Sequence, residues 1–208
     1  DIFGPSSTAK QFQARIGDGT EVGSWEVGQF DGTLLVDSNQ LAWTKGVARS
    51  FTLTHNSTTG ELTYTINGES LVWSLNPGDS YEEISILAKA SATTGYLTTI
   101  DNLQLDGAAL SNSTLTAGPG QKVGVNLSGK LYSDFTVTGD ITLSWTDTPP
   151  ANASLQTFVG VAGASTELPV ESQPGAIGDL TVGQKVAAFG IDDGGLCFIA
   201  ESLVAELE

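Results

Sequence analysis

Runs of strict two-residue alternation constrain this chain more than any other feature. Phe51 and Leu53 alternate with Thr52 and Thr54; after His55-Asn56-Ser57-Thr58-Thr59-Gly60, Leu62, Tyr64 and Ile66 alternate with Thr63 and Thr65. A strand sends successive side chains to opposite faces, so this rhythm makes a ribbon that is apolar on one side and threonine-clad on the other. A helix repeats every 3.6 residues and cannot gather such a set on one face. The apolar side needs a second sheet to cover it. Asn67-Gly68 follows, a dipeptide suited to a tight hairpin turn, and leads into Ser70-Leu71-Val72-Trp73. Three consecutive strands of a meander are therefore expected.

Similar segments recur along the chain. Strands are expected near residues 25–27, 32–36, 41–43, 84–90, 97–105, 123–127, 135–138, 141–145 and 155–161, with Tyr81-Glu82-Glu83 able to open a short helix. Short strands separated by turn signals every ten residues or so indicate an all-β protein. The expected fold is an antiparallel β-sandwich, jelly-roll or immunoglobulin-like, with a small C-terminal β extension. Residues 1–14 show no clear period and read as an N-terminal arm. Residues 15–162 read as the sandwich, which Pro149-Pro150 interrupts because a proline pair cannot continue a central strand. Residues 163–178, with Pro169 and Pro174, read as a connector, and 179–208 as a small β subdomain or edge extension.

Composition narrows the function. The chain has 24 acids against 8 bases, a net charge of −16, which disfavours nucleic acids and anionic membranes. No apolar run reaches the roughly 18 residues of a membrane-spanning helix. Groups that transfer protons near neutrality are scarce: one His, His55, placed by its neighbours in a turn, and one Cys, Cys197, in an apolar run. A lone cysteine makes no internal disulfide and reads as a buried, inert thiol. No G-x-S-x-G elbow is present, and no acidic pair is singled out by spacing for glycoside chemistry. A non-catalytic protein that requires no cofactor is expected.

Binding candidates remain. Asp192-Asp193-Gly194-Gly195 is the most suggestive acidic turn for calcium, with Asp79, Glu82 and Glu83 a second cluster and Asp18 with Glu21 a third. Calcium takes six to eight oxygens, which Gly-rich acidic turns can supply; Asp and Gly are also ordinary turn residues. Trp25 and Trp43 have polar flanks and are expected to be exposed, hence candidates for stacking on sugars, whereas Trp73 and Trp145 fall in phase with apolar neighbours and read as core. Asn56, Asn112, Asn126 and Asn152 head N-x-S/T sequons that an exporting, glycosylating host would use.

Several longer stretches resemble known exported β domains. Ser50-Phe51-Thr52-Leu53-Thr54 with Thr59 to Gly68, Ile100-Asp101-Asn102-Leu103-Gln104-Leu105-Asp106-Gly107, and Phe135-Thr136-Val137-Thr138-Gly139-Asp140-Ile141-Thr142-Leu143-Ser144-Trp145 resemble the choice-of-anchor β-sandwich domains of exported bacterial surface proteins, over about residues 20–160. Residues 179–190, DLTVGQKVAAFG, are similar to a strand pattern of small exported β-barrels. The resemblance implies an extracellular or cell-surface location and no catalytic residues. Threonine-rich, lysine-poor strands leave edges open to a partner's strand. The leading expectation is a structural surface or matrix protein, a fibre or sheath subunit that exchanges strands through residues 1–14 with copies of itself. The second is a carbohydrate-binding module using Trp25 or Trp43, with calcium as a candidate ligand and glycans as partners.

Overall fold

The computed structural model describes residues 9–16, 25–146, 150, 153–166, 189–191 and 197–199. It is all-β. Thirteen strands build two antiparallel sheets within the unit that ends at Leu168: β1 (Lys10–Arg15), β2 (Val27–Asp31), β3 (Leu34–Asn39), β4 (Arg49–Asn56), β5 (Glu61–Ile66), β6 (Glu69–Ser74), β7 (Asp79–Ala90), β8 (Leu97–Leu105), β9 (Ala108–Ala109), β10 (Leu115–Ala117), β11 (Lys122–Tyr132), β12 (Phe135–Ser144) and β13 (Leu155–Thr166). A second unit, Pro169–Glu208, contains the antiparallel pair β14 (Phe189–Ile191) and β15 (Cys197–Ile199). Among the described residues no helix is long and apolar enough to cross a membrane.

One sheet runs β11-β7-β13-β1-β2-β3 and the other β10-β8-β12-β4-β5-β6, with β9 beside β8. Four nested antiparallel pairs organise both: β1 with β13, β4 with β12, β7 with β11, and β8 with β10. That nesting is a long hairpin rolled into two four-stranded layers, the jelly roll. The pairs β2–β3 and β5–β6 extend both layers on the same side. The strand order therefore selects the jelly roll over the immunoglobulin-like alternative.

Between the layers lies one core, including Phe12, Phe51, Leu53, Tyr64, Ile66, Ile84, Ile86, Ile100, Val137, Ile141 and Val159. The alternation at 51–54 and 62–66 does what the pleat requires: Phe51, Leu53, Leu62, Tyr64 and Ile66 are buried while the threonines between them are half-buried on the other face. At Asn67-Gly68 both residues have positive φ, 49° and 92°, the geometry of the turn that matches strand twist in a two-residue hairpin. Tyr81-Glu82-Glu83 lies within strand β7 and starts no helix.

Three further expectations are corrected. Lys10–Ala14 is no free arm: these residues pair with β13 on one side and β2 on the other, well inside the sheet, while residues 1–8 lie outside the described residues. Residues 163–166 belong to β13 rather than to a connector. The segment 41–43 is not a strand; Leu41 is buried, and its backbone N–H donates to the Glu26 carboxylate at 3.3 Å instead of to a ladder.

Candidate functional site

His55 sits in β4, not in a turn, and is almost fully buried. Its ring packs edge-on against Tyr81 at 5.0 Å between centroids and tilted against Phe135 at 5.7 Å, with Nδ1 against the carbonyl of Ser133. The nearby Ser57 hydroxyl donates to Asp134 Oδ1 at 2.8 Å rather than to the imidazole. A serine bonded to the acid, with the histidine bonded to a backbone carbonyl, is not the nucleophile–base pair of acyl transfer. Cys197 opens β15, and its side chain lies outside the described residues.

Of the two tryptophans expected to be exposed, Trp25 is covered and Trp43 is half-buried. Trp25 is 9% exposed; the Arg15 guanidinium lies 3.5 Å above its ring, and Phe30 meets it edge-on at 5.3 Å. Gly28 makes this possible, because a Cβ there would come within 2.8 Å of the Trp25 ring. A stacking face for a sugar is thus occupied by the protein itself. Trp43 is half-buried, and its indole nitrogen is buried with no hydrogen-bond partner among the described residues. Trp145 is in the core, and Trp73 packs against it with Lys10 Nζ 4.7 Å from the Trp73 ring.

The acidic candidates separate. Asp79 is buried, Glu82 is exposed, and Glu83 accepts from the Ser85 hydroxyl at 2.7 Å. Glu82 and Glu83 are consecutive in β7, so the pleat sends them to opposite faces. Among the described residues no three His, Cys, Asp or Glu side chains gather as a metal site. Asp18, Glu21, Asp192 and Asp193 lie outside the described residues. Of the sequon asparagines, Asn56, Asn112 and Asn126 are exposed and Asn152 is not among those described.

What the fold does present is an open edge. β3 ends its sheet, pairing with β2 on one side only. Leu34, Leu35 and Val36 are 67%, 38% and 44% exposed, and Val72 on β6 is 45% exposed. Asn39 Nδ2 on β3 donates to the Ser70 carbonyl at 3.2 Å and Gln29 Nε2 on β2 to the Val72 carbonyl at 3.3 Å, which holds β6 beside β2 and β3. Natural edges are blunted by lysine, proline or a bulge. β3 has a bulge, since Gln29 pairs Asp37 while Phe30 pairs Leu35, and Val36 is the extra residue. It has one carboxylate, Asp37, and neither Lys nor Pro. β11, the opposite edge of the same sheet, carries Lys122 and Lys130 and exposes Leu131. Nothing in the sequence marked β3 as an edge; an LLV run reads equally as a core strand.

Two carboxylates elsewhere are held in their charged form by hydrogen bonds. Asp134, fully exposed, lies below the usual carboxylate range because the Ser57 backbone N–H and hydroxyl donate to it. Asp140 is lowered by donation from the Ser50 hydroxyl at 2.6 Å and Asn102 Nδ2 at 2.8 Å. Both brace loops and strands of the sheet containing β4, β8 and β12.

The chain matches no protein-family model, and no curated protein sequence matches it.

Proposed function

We propose that this protein is a non-catalytic structural component of an extracellular surface or matrix, assembling into a fibre or sheath by strand addition at open sheet edges. One observation carries this reading: the apolar, lysine-free edge strand β3, with Leu34, Leu35 and Val36 exposed. An added strand there gains main-chain hydrogen bonds and covers these three side chains. The acceptor in the next copy is β11, the other free edge of that sheet, because a contact between two different edges propagates instead of closing into a dimer. The resemblance to choice-of-anchor domains and the near absence of proton-handling side chains support the location and the passive role.

A net charge of −16 repels copies from one another, so association strengthens as salt or calcium screens it. Sedimentation velocity and negative-stain microscopy test the reading. The wild-type chain is expected to associate with rising concentration, more so at 0.5 M than at 0.05 M NaCl (about a threefold difference in Debye length), and Leu35→Lys is expected to remain monomeric. Monodisperse monomers under every condition, calcium included, would overturn it.

A further inference from the structure

On the outer face of the six-stranded sheet, far from β3, the registers of β11, β7 and β13 set side chains in rows. Lys122 stands opposite Lys89, which stands opposite Gln156; Gly124, Leu87 and Phe158 form the next row; Asn126, Ser85 and Gly160 the third. All of these except Gln156 and Gly160 line a cleft of about 200 Å³. It lacks a bulky side chain at Gly124, and Phe158 and Leu87 form an apolar floor.

The first row is costly as it stands. Like charges directly opposite across two strands destabilise a sheet. With only 8 bases in 208 residues, this chain places two of them face to face. Among the described residues neither ammonium has a carboxylate within salt-bridge distance, although 24 acids are available to the chain. Lys89 Nζ reaches only the neutral Gln156 Oε1, at 3.4 Å. Burial, and then the neighbouring Lys122, hold the Lys89 ammonium below the ordinary lysine range. A bound anion removes both penalties. The far row is different in kind: Ser85 Oγ lies 2.6 Å from Asn126 Oδ1 and donates to Glu83, so that end offers hydroxyl and amide groups beside a carboxylate and rejects a second negative charge. Four residues of strand, about 13 Å, separate the two ends.

The geometry points to a binding site for a singly charged sugar acid, its carboxylate between Lys89 and Lys122, its ring over Phe158 and Leu87, and its hydroxyls toward Ser85 and Asn126. The cleft is smaller than pockets for drug-sized ligands, which suits one or two sugar residues. The net charge of −16 selects against long polyanions, whereas at physiological salt, with a screening length of about 8 Å, the local lysine pair governs a small ligand. The site uses the outward-facing side chains of β11, not the edge backbone groups that an added strand would pair, so it does not depend on assembly.

The test is a heteronuclear NMR titration of the full chain with D-glucuronate, D-glucose and acetate, repeated on Lys89→Gln and Lys122→Gln. Glucuronate is expected to shift the amides of Ser85, Leu87 and Gly124 saturably, with a dissociation constant of about a millimolar for a ligand this size. Each substitution is expected to weaken it at least tenfold, and glucose to leave the amides unmoved. Lys122→Gln relieves the like-charge pair, so its melting temperature is expected to equal or exceed that of the parent while binding is lost, which separates a binding role from a structural one. No saturable glucuronate shift, shifts that survive both substitutions, or acetate binding as tightly as glucuronate would each overturn the assignment.

Discussion

Tyr64 offers a sharp test of how this core is packed. Its side chain is fully buried, stacked on Phe12 at 5.2 Å and tilted against Phe51 at 5.9 Å, and its hydroxyl has no hydrogen-bond partner among the described residues. Leaving a buried hydroxyl unpaired costs about 1–3 kcal/mol, and Tyr64→Phe removes that cost while keeping the ring contacts. For a domain of this size each kcal/mol moves the melting temperature by about 2–4 °C. The substitution is therefore expected to raise it by several degrees, measured by calorimetry at pH 7. The same burial gives a pH signature. Desolvation holds the Tyr64 phenol far above the ordinary tyrosine range. Below the unfolded-state value of about 10 both states are protonated and stability is flat; above it the unfolded chain ionises and the folded one does not, so stability falls as pH rises. The fall amounts to about 1.4 kcal/mol per pH unit for one such group. Tyr64→Phe is expected to lose stability less steeply above pH 10 than the parent, with Tyr81, also raised by burial and by Asp79, accounting for part of what remains. A lower melting temperature for Tyr64→Phe would refute this reasoning, since it would mean the hydroxyl is satisfied, by a buried water for instance.

Other expectations follow from single contacts. Gly28→Ala pushes a methyl into the Trp25 and Phe30 rings and is expected to cost about 1–3 kcal/mol by denaturant unfolding, with a changed Trp fluorescence spectrum. Asp140 is depressed by Ser50 and Asn102, so it stabilises the fold above the unfolded carboxylate value of about 4, and that contribution is lost as pH falls through its lower folded value. Asp140→Asn is therefore expected to flatten the acid limb of a stability-against-pH curve while weakening the protein at pH 7. Leu35→Lys, on an exposed edge, is expected to change monomer stability by no more than about 0.5 kcal/mol while abolishing association.

The legible parts of the fold were those written locally. The β4–β5–β6 meander needs only its own alternation and the Asn67-Gly68 turn, and Ile84 to Ala90 and Val123 to Leu127 declare themselves in the same way. β1 did not, because Lys10-Gln11-Phe12-Gln13-Ala14-Arg15 has just two inward apolar residues, and its central place depends on β13, roughly 145 positions later in the chain. Strand order is a property of such distant pairings, which is why the jelly roll emerges only from the registers. Trp25 looked exposed from its polar neighbours; what covers it is a guanidinium and a glycine's missing side chain, neither visible as a pattern. The lysine cleft was hidden for the same reason as β1. Lys89 and Lys122 lie on strands that were each expected, yet only the β7–β11 register brings the two cations face to face.

Amide hydrogen exchange across β3 addresses the assembly reading at its root. Exchange of Leu34 to Asn39 would be compared below and above the concentration at which the chain associates, with β1 as the internal reference. Strand addition is expected to slow the outward-pointing amides of β3 at alternate positions, as pairing on one new side demands, while the already paired amides of β1 stay slow throughout. Unchanged exchange in β3 across that concentration range, or slowing confined to other strands, would contradict it.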